Sequence, residues 1–237
     1  SLYDHLKMTA AISACVSEYL LDAGETDYKA RLFNHEADFR MEPAFLMLTA
    51  DLSGIQRFIY TVATKGAQRS LRSRSFFLEV LMEHYVDEVL GACGLSRANL
   101  IYSGGGHCYL LLPNTKAARD SARAVNDRMN DWLIGQFGSR LFMAQGMTAC
   151  SANELTNTPA EEAPYKAIFA RLSTAVSLSK LRRYSAGQLR QLNAQTAGLD
   201  GRECTVCGST DVLREGRCAW CARFEDLSVR IQDESRV

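Results

Sequence analysis

The sequence predicts an α+β fold: an elaborated ferredoxin-like unit of order β-α-α-β-β-α-β, followed by a small helical domain closed by a zinc knuckle. Three observations carry this reading. Short apolar runs of strand length alternate with longer stretches of helical periodicity. Gly104, Gly105 and Gly106 separate two of those runs as a hairpin tip. Two CxxC pairs, Cys204 with Cys207 and Cys218 with Cys221, follow in the last fifth of the chain.

Residues 1–21 read as a helix, because Leu2, Leu6, Thr9, Ile12, Val16 and Leu20 recur at spacings of three and four and define an apolar stripe. Residues 22–42 are polar and read as irregular. Phe45 to Ala50 is a short apolar run ending at Asp51, a buried strand. Ser53 and Gln56 have capping-box spacing, so a helix is expected from about Gly54. Thr64 to Arg69 breaks it, and a long amphipathic helix follows from about Leu71 to Ala92. Its stripe is Phe77, Leu81, Tyr85, Val89 and Leu90, opposite Glu79, Glu83, Asp87 and Glu88.

Asn99 to Tyr102 and Cys108 to Leu112 flank the glycines and read as two buried strands. Residues 116–134 form the next helix, with Ala118, Ala122, Val125, Met129, Trp132 and Leu133 on one face, and residues 141–149 the last strand of the unit. From Pro164 the chain turns to basic helices at about 164–180 and 185–196, separated by Arg182, Arg183 and Tyr184. Internal repeats and low-complexity tracts are absent.

At 237 residues, one full core with a smaller satellite is the natural arrangement. No apolar run of membrane-spanning length occurs, and Asp4, His5, Lys7 and Glu18 fit neither a span nor a signal peptide, so a soluble cytoplasmic protein is expected. The chain starts in what reads as mid-helix and ends in a polar tail, the pattern expected of a piece of something longer. Net charge is zero, yet two stretches lack acids. One carries Arg57, Lys65, Arg69, Arg72 and Arg74. The other carries Lys180, Arg182 and Arg183 among its cations. Each alone is compatible with a solvated helix face; together they favour a polyanionic partner.

The two CxxC pairs lie ten residues apart and fit two knuckles closing one tetrahedral S4 zinc site, with disulfides as the alternative. Four thiolates leave no open coordination position, so such a zinc is structural. Cys15, Cys93, Cys108 and Cys150 lie in apolar contexts and read as reduced core residues, which suits a reducing compartment.

Asp51 closes the first strand, and in a split unit of this order that end lies beside the glycine tip. Polymerase and nucleotide-cyclase palms use this arrangement, with acids from both places holding two magnesium ions on a triphosphate. Here the hairpin offers no carboxylate. The expectation is a palm that binds or supports a nucleotide without holding its catalytic metals; the alternative for Asp51 is a cap on the turn at Leu52 to Gly54. Asp4 and His5 form an HD doublet, but His35, His84 and His107 are scattered and complete no HD site. His107 adjoins the tip, as a ligand contact or a turn residue.

The segment Asp51 to Tyr60 (DLSGIQRFIY), the tip Tyr102 to His107 (YSGGGH) and the paired cysteines resemble the large subunit of type III-A (Csm) CRISPR effector complexes, over nearly the whole chain. The resemblance implies that residues 1–21 end an HD nuclease domain, 22–40 link it onward and 41–152 form a first, non-catalytic palm. Residues 153–230 would then be a helical zinc-binding domain, and 231–237 a tail toward a second palm that bears the family's Gly-Gly-Asp-Asp hairpin. It implies two activities for the whole protein: cleavage of single-stranded DNA, and synthesis of cyclic oligoadenylate from ATP with Mg or Mn once target RNA binds. Guide RNA, target RNA and the other effector subunits are the implied partners, and no membrane. Neither catalytic set falls in this chain. Asp51, Ser53, Gly54, Ser103, Gly104, Gly105, Gly106 and His107 carry over as nucleotide-proximal positions. A stand-alone zinc-ribbon nucleic-acid module and a degenerate cyclase-like sensor remain the other readings.

Overall fold

A computed structural model describes residues 1–60, 67–194, 203–210 and 213–232. In chain order its elements are α1 (Leu2–Asp22), a π-helical turn at Ala30–Asn34, α2 (Glu36–Met41), β1 (Phe45–Ser53), α3 (Ile55–Tyr60), α4 (Ala67–Ala92), β2 (Leu100–Gly104) and β3 (His107–Pro113). Then follow α5 (Lys116–Phe137), β4 (Phe142–Cys150), α6 (Ala152–Leu155), α7 (Pro164–Leu181), α8 (Ala186–Ala194) and α9 (Ala219–Gln232). From β1 to β4 this is the strand and helix order read from the sequence. The chain divides into two compact units: one of Ser1–Leu52, Met82–Asn130 and Met143–Arg183, the other of Ser53–Leu81, Asp131–Phe142 and the residues from Tyr184 onward.

The first unit is built on a four-stranded sheet in the order β2-β3-β1-β4. β3 pairs antiparallel with both β1 and β2, and Phe45 to Asp51 of β1 face Pro113 to His107 of β3 in unbroken register. β1 has a neighbour on each side, which is why Phe45 to Ala50 are all buried. Alternation sends Phe45 and Met47 into one cluster with Cys15 and Leu20 of α1, Phe39 of α2, and Ile168 and Leu172 of α7. Leu46, Leu48 and Ala50 point to the other face and are fully buried there too. Tyr85 of α4 is wholly enclosed, its hydroxyl bonded to Asn126 of α5 and Gln145 of β4.

Three expectations change here. β2 is a half-exposed edge strand rather than a buried one, with Tyr102 53% exposed, because it has a partner on one side only. In α1 the expected stripe splits: Leu2, Leu6 and Ile12 face outward, whereas Leu20 is buried and Val16 packs against the core as expected, joined there by Ala11 and Cys15. Small residues let the helix approach β3 closely enough for Cys15 Sγ to meet the Leu111 carbonyl at 3.5 Å. Residues 22–42 are helical in part, α2 burying Phe39, bonding through Arg40 to Asn153, and opening with Glu36 and Asp38 at its positive end.

The second unit has an aromatic core. Phe58, Phe77, Phe137, Trp220 and Phe224 stack with ring centroids between 4.7 and 6.2 Å apart. Such pairs contribute about 0.5–1.5 kcal/mol each beyond area burial. The predicted capping box does not form: the Ser53 hydroxyl is buried and has no hydrogen-bond partner among the described residues. α3 starts after Gly54, whose φ of +97° and close approach to the Arg140 carbonyl oxygen leave no room for a Cβ. Among the described residues no helix is long and apolar enough to cross a membrane.

Candidate functional site

β1 carries Asp51 to the end of the sheet, where register sets it opposite His107 on β3. The Leu52 amide donates to the Gly106 carbonyl at 2.8 Å, so the glycine tip lies beside Asp51, as the strand order requires. Gly105 and Gly106, with φ of +61° and +81°, form a two-residue turn between the paired Gly104 and His107. Both central positions of a primed hairpin turn need positive φ, which favours glycine at each.

Both oxygens of the Asp51 carboxylate are engaged. Lys180 Nζ lies 2.6 Å from Oδ2, and His107 Nδ1 lies 3.5 Å from Oδ1. The His107 hydrogen bond first, and Lys180 after it, hold the Asp51 pKa down at about 2 against partial desolvation. The other ring nitrogen, Nε2, meets Thr49 Oγ1 at 3.1 Å, and that hydroxyl donates to the Cys108 carbonyl at 3.0 Å. With its proton committed there, Thr49 accepts from Nε2–H.

Lys180 reaches Asp51 because α7 lies tight against β4. A Cβ at Gly146 would crowd the Leu172 carbonyl oxygen at 3.0 Å and the Val176 side chain at 2.9 Å. A cavity of about 220 Å³ lies between the sheet and α7, with Thr49, Asp51, His107 and Tyr109 on one wall and Ser177 and Lys180 on the other.

The remaining candidate positions divide as follows. Ser103 donates to Glu83 Oε1 at 2.8 Å, and Glu83 is also paired with Arg97. Ser53 and Gly54 belong to the second unit. Arg57, Arg72, Arg182 and Arg183 are exposed; Lys65 and the side chain of Arg69 lie outside the described residues. Arg74 is corrected: it is 2% exposed and bonded internally to Phe58 and Ser70, so it is not on a surface that a polyanion can reach. Lys180, a surface cation by sequence, is paired with Asp51. Sequence reasoning also missed Thr49 and Glu83, whose roles arise from strand register and helix packing and leave no local signal.

The second unit holds the cysteine quartet. Cys204, Cys207, Cys218 and Cys221 are all buried and their sulfurs lie within 4.8 Å of one another. Cys207 and Cys218 Sγ are 3.8 Å apart, and the Cys218 amide lies 3.3 Å from Cys204 Sγ. Tetrahedral zinc with bonds of about 2.3 Å sets its sulfurs about 3.8 Å apart, so the donor set fits a metal ion.

Comparison with known proteins gives the class first: the chain is similar to subunits of CRISPR effector assemblies. It resembles the solved Csm1-Csm4 cassette in complex with pppApA (TM-score 0.69, 32% identity, covering 86% of this chain and 28% of that one). It also resembles the Csm1-Csm4 subcomplex of the type III-A CRISPR-Csm interference complex (TM-score 0.67, 29% identity, 98% and 26%).

The family model for Csm1 subunit domain B matches residues 44–195. The chain is 47% identical to the single-strand-specific deoxyribonuclease Cas10/Csm1 (subtype III-A) of Mycobacterium tuberculosis, over 100% of this chain and 31% of that protein. The Enterococcus italicus counterpart is 37% identical over 99% of this chain and 31% of its own length. The chain belongs to the Cas10/Csm1 family of subtype III-A, and it spans about a third of the length of these relatives.

Proposed function

We propose that this chain is the ferredoxin-like first palm and zinc-binding region of a type III-A CRISPR large subunit, and that it supplies the non-catalytic half of an ATP site. One observation carries this reading. The strand end and hairpin where a catalytic palm gathers its acids hold a single carboxylate, and Lys180 and His107 already occupy both its oxygens. Gly105 and Gly106 leave the backbone uncovered at the tip, where a phosphate can approach closely. In support, similar structures are described as complexes with one ATP, with cA3 and with cA4.

On this reading residues 1–21 close an HD domain, 22–40 link it onward, 41–152 form the palm, 153–230 the zinc region and 231–237 lead toward a second, catalytic palm. The whole protein is then a cytoplasmic enzyme that cleaves single-stranded DNA and makes cyclic oligoadenylate from ATP with Mg or Mn. It works beside the other effector subunits on guide and target RNA. Asp51, Ser53, Gly54 and Ser103 to His107 are the nucleotide-proximal residues. Arg57, Lys65, Arg69, Arg72, Arg182 and Arg183 are the candidates for RNA or subunit contact. The four cysteines hold a structural zinc, as their buried, all-sulfur donor set fits. The similarity to large subunits disfavours the stand-alone module and the sensor.

The test compares ATP turnover to cyclic oligoadenylate by the full-length protein in its complex with that by this chain alone. The chain alone should make none. In the full protein, replacing Gly105 and Gly106 by alanine should raise KM for ATP more than it lowers kcat. Turnover by the isolated chain, or an unchanged KM, would refute the proposal.

A further inference from the structure

We infer that Arg74 is the built-in countercharge of the four-cysteine centre, so that a metal tetrathiolate and a buried guanidinium stabilise each other inside the second unit. This rests on the zinc reading above and adds a residue to it. Arg74 projects from α4 and is 2% exposed. A guanidinium stays protonated under all ordinary conditions, and an isolated buried charge is strongly unfavourable. Its donors are nonetheless directed at neutral oxygens: Nε to Ser70 Oγ at 3.1 Å and Nη1 to the Phe58 carbonyl at 2.8 Å. The rings of Phe58 and Phe224 flank it, each centroid 5.0 Å from Cζ. Among the described residues no carboxylate forms an ion pair with it. Its remaining donor, Nη2, meets Cys221 Sγ at 3.3 Å. That sulfur is the one partner able to carry a full negative charge.

Charge arithmetic then selects the state of the cluster. Four thiolates around one divalent zinc sum to two negative charges. A second cation is in place: Arg140 Nη1 lies 3.9 Å from Cys207 Sγ, and its Nε is fixed on the Phe137 carbonyl at 3.0 Å. Two arginines therefore balance the centre. Two disulfides would leave Arg74 buried without an anion, so the surroundings of the cysteines, and not only their spacing, favour a metal. The same contacts make the metal a clasp on α3 and α4, through Phe58, Ser70 and Arg74, as well as on the cysteine loop. Outer-shell partners of this kind change metal affinity by about 10- to 100-fold when removed.

The experiment measures zinc release from the full chain into a chromogenic chelator, alongside zinc content by elemental analysis. Arg74→Met should release zinc at least tenfold faster than the parent. Arg74→Lys should fall between, since an ammonium keeps the charge but cannot serve three acceptors in fork geometry. Hydrogen exchange after chelation should show lost protection in α3 as well as around the cysteines. A release rate for Arg74→Met within twofold of the parent overturns the inference. If that variant fails to fold, Arg140→Met at its half-buried position decides: faster release supports the inference, and a rate within twofold overturns it. A parent chain that holds no zinc overturns the zinc reading itself, whereas a zinc-loaded parent with indifferent arginine variants overturns this inference alone.

Discussion

Lys180 Nζ lies 2.6 Å from Asp51 Oδ2, joining α7 to the end of β1. The lysine stands as the cation against a carboxylate that, in a catalytic palm, would face magnesium. Asp51→Asn removes that charge pair, and its effect on stability has a defined pH dependence. The His107 hydrogen bond, and Lys180 after it, set the Asp51 pKa at about 2 in the folded chain, below the unfolded value near 3.8. Its stabilisation is therefore complete above the unfolded value and is lost as pH falls through about 2. Allowing for partial solvent screening, parent and variant should differ by about 1–2 kcal/mol at pH 6 and by roughly half of that near pH 3. Urea unfolding at the two pH values checks this; a difference that grows toward low pH has the wrong sign for this ion pair.

Gly54→Ala should be severely destabilising. The φ of +97° is unfavourable for any side chain, and the added methyl would overlap the Arg140 carbonyl oxygen. Strain and overpacking together should cost about 3 kcal/mol or more. The denaturation midpoint should fall with little change in slope, and a loss below about 1 kcal/mol would mean that the α3 entry can relax.

Gly146→Ala tests how Lys180 is placed. The new methyl would press on the Leu172 carbonyl and Val176, pushing α7 away from β4 at a cost of about 1–3 kcal/mol. Because α7 delivers Lys180, the Asp51→Asn substitution should cost less in the Gly146→Ala background than in the parent. A double-mutant cycle reads this directly, and strict additivity would show that the lysine follows the strand without help from the helix packing.

One zinc per chain is expected by elemental analysis, and Cys218→Ser should abolish it. Stripping the metal should lower the melting temperature, with restoration on adding zinc back, since an ion that binds only the folded state stabilises it by mass action. A chain that melts identically with and without chelator would not contain a structural zinc site.

Calorimetry should find weak or no ATP binding to this chain alone, because the proposal places the metal-holding half of the site on another palm. Micromolar binding in the presence of Mg would contradict that division of labour.

Much of the architecture was legible from the residues. The succession β1 to β4 follows from switches between twofold and 3.6-fold apolar periodicity, and the Asp51–glycine tip juxtaposition follows from the strand order alone. What escaped were properties that depend on neighbours distant in sequence. Leu100 and Ile101 look as apolar as an interior strand, and only the pairing shows that β2 is an edge. In α1 the bulky stripe holds only at its C-terminal end, at Val16 and Leu20; before that, close approach to β3 selects Ala11 and Cys15 and turns Leu2, Leu6 and Ile12 outward. Arg74 and Arg72 are two residues apart in one acid-free run, yet one is enclosed by phenylalanines and the other is solvated. Ser53 and Gln56 have capping-box spacing, but the Ser53 hydroxyl is buried with no hydrogen-bond partner among the described residues.

The turn at Gly105 and Gly106 has an evolutionary consequence. An acid placed at either position would have to adopt a left-handed backbone of φ +61° or +81°. Even then it would face a carboxylate already neutralised by Lys180. Metal chemistry on this hairpin would require both a second carboxylate and the release of Asp51 from Lys180. On the proposed reading, neither change alone yields a metal site, so adaptation of the ATP chemistry would fall to the partner palm.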